Sequence, residues 1–225
     1  MDLFDITLVG DYIGPLLKGL IITVELTFIV ISASLILAIF VALARLSQFR
    51  VIRWITTAYV EIIRSTPLLL QLIYIYYVLP NFGITLNPFL AGVVALTINY
   101  TAYLSEVYRS GITAISRGQY DAAYSIGMTK ALAMRRIILP QAIRIVIPAL
   151  GNYFISLFKD TALTAVITVQ ELLFTGQIIA ARSFQYFTVY TIAGFLYFAV
   201  GYPATHFVRY LEKISSRGYS YRRKR

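Results

Sequence analysis

Apolar residues run through this chain in long uninterrupted blocks, without the alternation of a half-buried strand or the single stripe of a surface helix. Leu26 to Ala44 contains no Asp, Glu, Lys or Arg, and Ser183 to Val208 is equally free of them. Ser65 to Ser105 also lacks charge, but the turn cluster Pro80-Asn81-Phe82-Gly83 with Asn87-Pro88 divides that run in two. A further block is broken only by Arg144 and Pro148. Roughly 20 apolar residues carry a helix across the hydrocarbon of a bilayer. The blocks therefore predict five spans, at about residues 16–44, 54–79, 88–109, 137–158 and 184–209. The predicted fold class is all-α: an integral membrane helical bundle of five transmembrane helices, one transmembrane domain over residues 1–225, plus a short cytoplasmic helix.

That short helix is read from the loop after the third span. Gly118 breaks the preceding helix, Asp121 lies in the first turn of the next, and Gly127 suits its C-terminal cap, which gives a helix at about 119–127 with Ala122-Ala123 on its surface. Helices this short are marginal in water, so it is braced by the spans on one side and by a partner on the other. The semi-polar stretch from Lys159 to Arg182 is too polar for a span and too apolar for a free loop. It is read as a partly re-entrant outer segment packed on the bundle, because irregular backbone at membrane depth needs protein or a water-filled cavity over it.

Composition strengthens the membrane reading: of 225 residues 59% are apolar and 13% charged, with a mean hydropathy of +0.74. The net charge of +10 would also suit nucleic acid, so the placement of the basic residues decides. They follow the first span (Arg45, Arg50, Arg53), the third (Arg109, Arg117, Lys130, Arg135, Arg136) and the fifth (Arg209, Lys213, Arg217, Arg222, Arg223, Lys224, Arg225). Lys18, Lys159 and Arg182 lie on the other side. The positive-inside rule then puts the N-terminus outside and the C-terminus in the cytoplasm. A basic tail beside anionic membrane lipid accounts for the charge, and no nucleic-acid partner is expected. Met1 to Asp11 has three acids and no basic residue, unlike the start of a cleaved signal peptide, so the first span is expected to remain.

Chemistry is scarce. Cysteine is absent and His206 is the single histidine, so disulfides, thiol catalysis and a metal cluster are excluded and no catalytic dyad is evident. No Gly-Lys dipeptide occurs, hence no Gly-rich phosphate-binding loop. This chain is expected to be no enzyme and to hold no cofactor of its own.

The polar residues inside the apolar blocks are the candidates. Arg64 stands about 15 Å along the second span from Trp54, where a charge faces a cavity or a partner. Two readings stand for it: lining a pathway, or pairing with Glu61 one turn earlier. Thr66 and Gln71 continue the polar positions on that span. On the third, Asn99, Tyr103 and Glu106 recur at helical spacing. Glu106 fits an interfacial pair with Arg109, and Asn99, near the midplane, fits contact with solute or a facing subunit. Lys159, Asp160 and Thr161 offer both charges and a hydroxyl at the outer mouth, suited to the two ends of a zwitterion, or simply pin the re-entrant segment. Glu25 reads as a snorkelling side chain, and Arg144 and Asn152 as packing and interface groups.

The loop itself reads Asp121-Ala122-Ala123, three residues, Gly127, nine residues, then Ile137-Ile138-Leu139-Pro140. This resembles the cytoplasmic signature of permease subunits of ATP-binding-cassette (ABC) importers, Glu-Ala-Ala, three residues, Gly, nine residues, Ile, one residue, Leu-Pro, with Asp121 in place of Glu. Arg117-Gly118-Gln119, Pro140-Gln141-Ala142, Arg64-Ser65-Thr66-Pro67-Leu68-Leu69 and Lys159-Asp160-Thr161-Ala162-Leu163 are similar to motifs of the polar amino-acid subfamily, the histidine, arginine and glutamine type. That subfamily usually has Gly and Ser where this chain has Ser65 and Ala162. The resemblance implies a dimer with a second copy or a sister permease, in the cytoplasmic membrane of a prokaryote. It further implies two cytoplasmic ATPases that bind ATP and Mg, an external solute-binding protein, and alternating access of polar or charged amino acids. Asp121, Ala122, Ala123 and Gly127 would seat in a groove on the ATPase. A compatible solute or opine-like derivative is the alternative cargo. An ion-coupled secondary transporter is the more distant rival, since such folds usually show inverted repeats and five unmatched spans do not.

Overall fold

A computed structural model describes residues 9–216 of the chain; the acidic start at Asp2 and Asp5 and the basic residues from Arg217 to Arg225 lie outside the described residues. Within them the chain is helical throughout, with no strand. Four helices are long and apolar enough to cross a membrane, and a bent pair makes a fifth.

Helix α1 spans Val9–Arg45, 37 residues, or about 55 Å of helix at 1.5 Å per residue. Helix α4, Pro88–Thr113, is the hub. Asn87 caps it by accepting from the Leu90 amide at 2.8 Å, and Pro88 occupies its first turn, where a missing N–H costs nothing. Leu26, Val30 and Ala38 of α1 pack with Leu96, Tyr100 and Leu104 of α4 and with Leu157 in one buried cluster. Outward, Phe28, Phe40, Phe195 and Phe207 are exposed; where the solvent is lipid, exposed apolar surface needs no burial.

The second span is not the continuous helix expected over 54–79. Helix α2, Arg50–Ser65, stops at Thr66, and α3, Leu68–Ile73, resumes after Pro67 and runs on through a π turn over Tyr74–Val78 and a 3-10 turn over Leu79–Phe82. The two parts are bent by 106°. Pro67 has no amide hydrogen to continue the ladder, and it drives Thr66 into the extended region at φ −111, ψ 142.

After α4 the chain forms α5, Arg117–Ser125, then α6, Lys130–Ala133, a π turn over Met134–Ile138 and α7, Leu139–Asp160. Gly118 lies inside α5 instead of breaking the helix before it; Ser116, extended at φ −60, ψ 144, makes the boundary. At the other end Gly127 adopts φ +79. Its amide donates to the Tyr124 carbonyl at 2.9 Å and the Met128 amide to the Ala123 carbonyl at 3.1 Å, the paired bonds of a Schellman cap.

The outer segment is more regular than a loop: a 3-10 helix over Thr161–Ile167, then α8, Leu172–Ser183. Helix α9, Tyr186–Ser216, closes the bundle against α7 and α8. Helices α1 and α8 approach closely because Gly19 has no side chain; a Cβ there would lie 2.8 Å from Thr175 Oγ1 and 3.0 Å from the Glu171 carbonyl oxygen.

Candidate functional site

Two places carry the polar chemistry of the chain: a cavity at the break in the second span, and the outer face of α5. The cavity has a volume of about 490 Å³ and is walled by Arg64 to Leu68 at the break, Asn99, Tyr100 and Tyr103 of α4, and Tyr153, Ser156 and Asp160 of α7. A larger groove of about 750 Å³ between α1, α7 and α9 is lined almost wholly by apolar side chains and contains none of the sequence-predicted residues.

Arg64 does not pair with Glu61. Its guanidinium carbon lies 5.3 Å from the centroid of the Tyr103 ring, a cation–π arrangement that leaves its donors open to the cavity. Across the space, Asp160 Oδ2 accepts from the Tyr100 hydroxyl at 2.7 Å. Tyr153 leans on both neighbouring rings, 6.3 Å from Tyr100 and 5.8 Å from Tyr103. The wall thus presents one cation, one anion and several neutral hydrogen-bonding groups.

Of the pathway candidates, the cavity gathers Arg64, Thr66, Asn99, Tyr103 and Asp160. Gln71 stands behind the wall, joined to Asn99 Nδ2 by its Oε1 at 3.0 Å. Thr161 is fully buried and donates to the Phe158 carbonyl at 2.7 Å, so its hydroxyl closes a turn instead of facing the cavity. Lys159 is exposed on the opposite side of α7, in a separate cavity with His206 and Arg209. Adjacent residues on a helix lie about 100° apart, so Asp160 reaches this cavity while Lys159 reaches the other. Sequence reasoning missed Tyr153 and Ser156. Counting back from Asp160 by four and seven residues reaches Ser156 and Tyr153, a signal the 3.6-residue period contained.

Glu171 was also missed as a centre of structure. Fully buried, it caps α8 by accepting from the Leu173 and Phe174 amides at 2.9 and 2.7 Å, and it accepts from the Tyr197 hydroxyl at 2.7 Å and the Thr23 hydroxyl at 3.4 Å. One carboxylate thereby joins α1, α8 and α9, and the bonds offset the cost of burying it.

Toward the α5 end of α4, Glu106 is held by Arg45 and Arg109, the latter through its Nε at 3.1 Å. The expected Glu106–Arg109 pair is present, and Arg45 adds the end of α1 to it. Below it α5 rests on α6 and the π turn, with Ile115, Ile138 and Ala142 forming a small core that Tyr120 joins. Asp121, Ala122, Ile126 and Gly127 are exposed. Ala123 is not on the surface as expected: it is 3% exposed, turned toward the body. Ala123 falls on the side by which α5 docks on the body, and Ala122, about 100° further round the helix, falls on the exposed side. No group of residues able to hold a metal ion exists among the described residues.

Comparison with known proteins places this architecture. A family profile described as "Binding-protein-dependent transport system inner membrane component" matches residues 34–215. The chain is 44% identical over 195 residues to the L-cystine transport system permease protein TcyB of Bacillus subtilis, covering 86% of this chain and 83% of that one. It is 38% identical to the probable glutamine ABC transporter permease protein GlnM of the same organism, covering 96% and 100%. Among solved structures it is similar to a crystal structure of an amino acid ABC transporter with histidines, with a TM-score of 0.89 and 39% identity over 93% of this chain and 98% of that one. Inward-facing MetNI methionine ABC transporter shares the fold, with a TM-score of 0.64 at 18% identity.

Proposed function

Because this chain belongs to the binding-protein-dependent transport system inner membrane components, we propose that it is the transmembrane subunit of an ATP-driven importer that moves polar or charged amino acids by alternating access. The observation that carries this is a cavity at the break of a membrane span offering Arg64 and Asp160 together. A zwitterion presents a carboxylate and an ammonium, which these two groups complement, while Thr66, Asn99 and the tyrosines supply neutral bonds. The relatives named for L-cystine and glutamine support the solute class.

The chain has no nucleotide site of its own in this reading. Two partner ATPases bind ATP and Mg, a second permease copy or a sister subunit completes the path, and an external binding protein delivers solute with the N-terminus of α1 outside. The ATPases drive the spans through α5. Asp121, Ala122 and Gly127, with Ile126 beside them, form the docking face, and Ala123 ties that face to the body. Moving a two-state equilibrium from 1:99 to 99:1 takes about 5.5 kcal/mol of differential binding, so the α5 contact holds far better in one state than in the other.

The test is reconstitution of the purified complex in proteoliposomes with ATP inside and L-cystine, L-glutamine or L-glutamate outside. Uptake that requires ATP and is lost in Arg64→Ala and Asp160→Ala supports the reading. Uptake that follows an ion gradient without ATP overturns it.

A further inference from the structure

The break in the second span has its own chemistry, separate from the solute groups around it. In an unbroken helix the Ile63 carbonyl would accept from the amide of residue 67, but that residue is Pro67 and has no hydrogen to give. At membrane depth an orphaned carbonyl is costly. Side chains supply the missing donor: Gln71 Nε2 lies 2.9 Å from the Ile63 carbonyl oxygen, nearer than the Thr66 hydroxyl at 3.3 Å. The same amide group reaches the Thr66 carbonyl at 3.2 Å and Thr66 Oγ1 at 2.8 Å. Its own oxygen accepts from Asn99 Nδ2 at 3.0 Å, and Asn99 is 4% exposed in the middle of α4. One glutamine therefore joins the last turn of α2, the first turn of α3 and the hub helix.

We propose that Gln71 is a positioning residue: its amide stands in for the N–H that Pro67 lacks, clasps the span in its bent form and thereby aims Arg64 and Thr66 into the cavity. Gln71 is not among the cavity-lining residues. Arg64 belongs to the final turn of α2 that the clasp terminates, so its direction follows from how that turn ends. The effect on transport rests on the proposed function of the cavity; the effect on the bend does not.

The absence of cysteine from the sequence lets two introduced cysteines carry spin labels without background. Ile55 on α2 and Tyr74, the first residue of the π turn that continues α3, are 56% and 58% exposed and report the angle across the break. In the assembled complex in lipid nanodiscs, the wild-type pair is expected to give one narrow distance distribution. Gln71→Met keeps the length but has no donor, and Gln71→Glu keeps an acceptor for Asn99 while offering oxygens to oxygens. Both are expected to shift or broaden the distribution. Asn99→Asp, which leaves the Gln71 donor intact, is expected to move it less than either. A wild-type distribution in whichever Gln71 variant assembles, or a larger change in Asn99→Asp than in that variant, overturns the clasp.

In proteoliposomes, Gln71→Met is expected to raise the half-saturating concentration of the transported amino acid about tenfold, the scale of one lost hydrogen bond, with the maximal rate kept within about twofold. A broadened distance distribution with unchanged half-saturation overturns the aiming of Arg64. Arg64→Ala separates the two claims: it removes the cation and leaves the bend. If Arg64→Ala transports normally, the cavity reading fails while the distance result still decides the clasp.

Discussion

Asp160 and Lys159 are neighbours in sequence with opposite fates, and the difference is a matter of helix phase. Asp160 meets the Tyr100 hydroxyl at 2.7 Å inside the cavity, and Lys159 is turned away from it. Bonds to a charged group contribute about 1.5–3 kcal/mol, so Asp160→Asn should weaken solute affinity of the complex by roughly 10- to 100-fold. Lys159→Gln should leave it within about twofold. Isothermal titration of the detergent-solubilised complex with L-glutamine or L-cystine distinguishes them, and an equal loss in both variants would contradict the assignment. Glu171 makes a prediction about stability instead. Glu171→Ala removes a helix cap, about 1 kcal/mol, and leaves the Tyr197 hydroxyl without its acceptor, about 1–3 kcal/mol more, while the Thr23 hydroxyl keeps the Gly19 carbonyl at 3.2 Å. The thermal midpoint of the complex should fall by several degrees. Glu171→Gln, which still offers an oxygen to the amides, should lose less.

Elements were legible in this sequence to the extent that one residue's physics decided them. The apolar blocks announced an all-helical membrane bundle, and the structure and the relatives agree on that class. The break at Pro67 was not read, because a proline within an apolar run is compatible with a kinked helix, and the Gln71 and Asn99 side chains that meet at the 106° bend are apart in sequence. Arg64 and Asp160 were each visible as candidates, but their shared cavity depends on the packing of α2, α4 and α7 that no spacing encodes. Ala123 shows the reverse error: a motif read as a surface because its residues are small, when one of them is small because it packs inward. Gly127 returns to the element scale with a prediction. At φ +79 a β-branched side chain costs about 1–3 kcal/mol, which would undo the cap and change the angle at which α5 leaves the body. In Gly127→Val complexes, ATP hydrolysis should persist while uptake per ATP falls severalfold. Unchanged uptake per ATP would remove the docking face from this end of α5.

The whole molecule is a rigid hub, α1 with α4, to which two functional ends are attached. The Glu106 cluster with Arg45 and Arg109 ties the end of α1 to α4 just before the chain enters α5. The same hub helix carries Asn99, Tyr100 and Tyr103 into the cavity. Force applied at α5 therefore reaches the cavity through a single continuous helix. Glu106→Gln, which leaves both guanidiniums facing a neutral amide, should lower uptake per ATP without altering solute affinity. The central claim is that a nucleotide-driven partner pushes on α5, and proximity measures it most directly. A single cysteine introduced as Ala122→Cys on the exposed face of α5, in the assembled complex, should crosslink to the ATPase subunit in a yield that changes between ATP-bound and nucleotide-free states. Crosslinking that never reaches the ATPase, or that captures it equally in both states, would contradict the account.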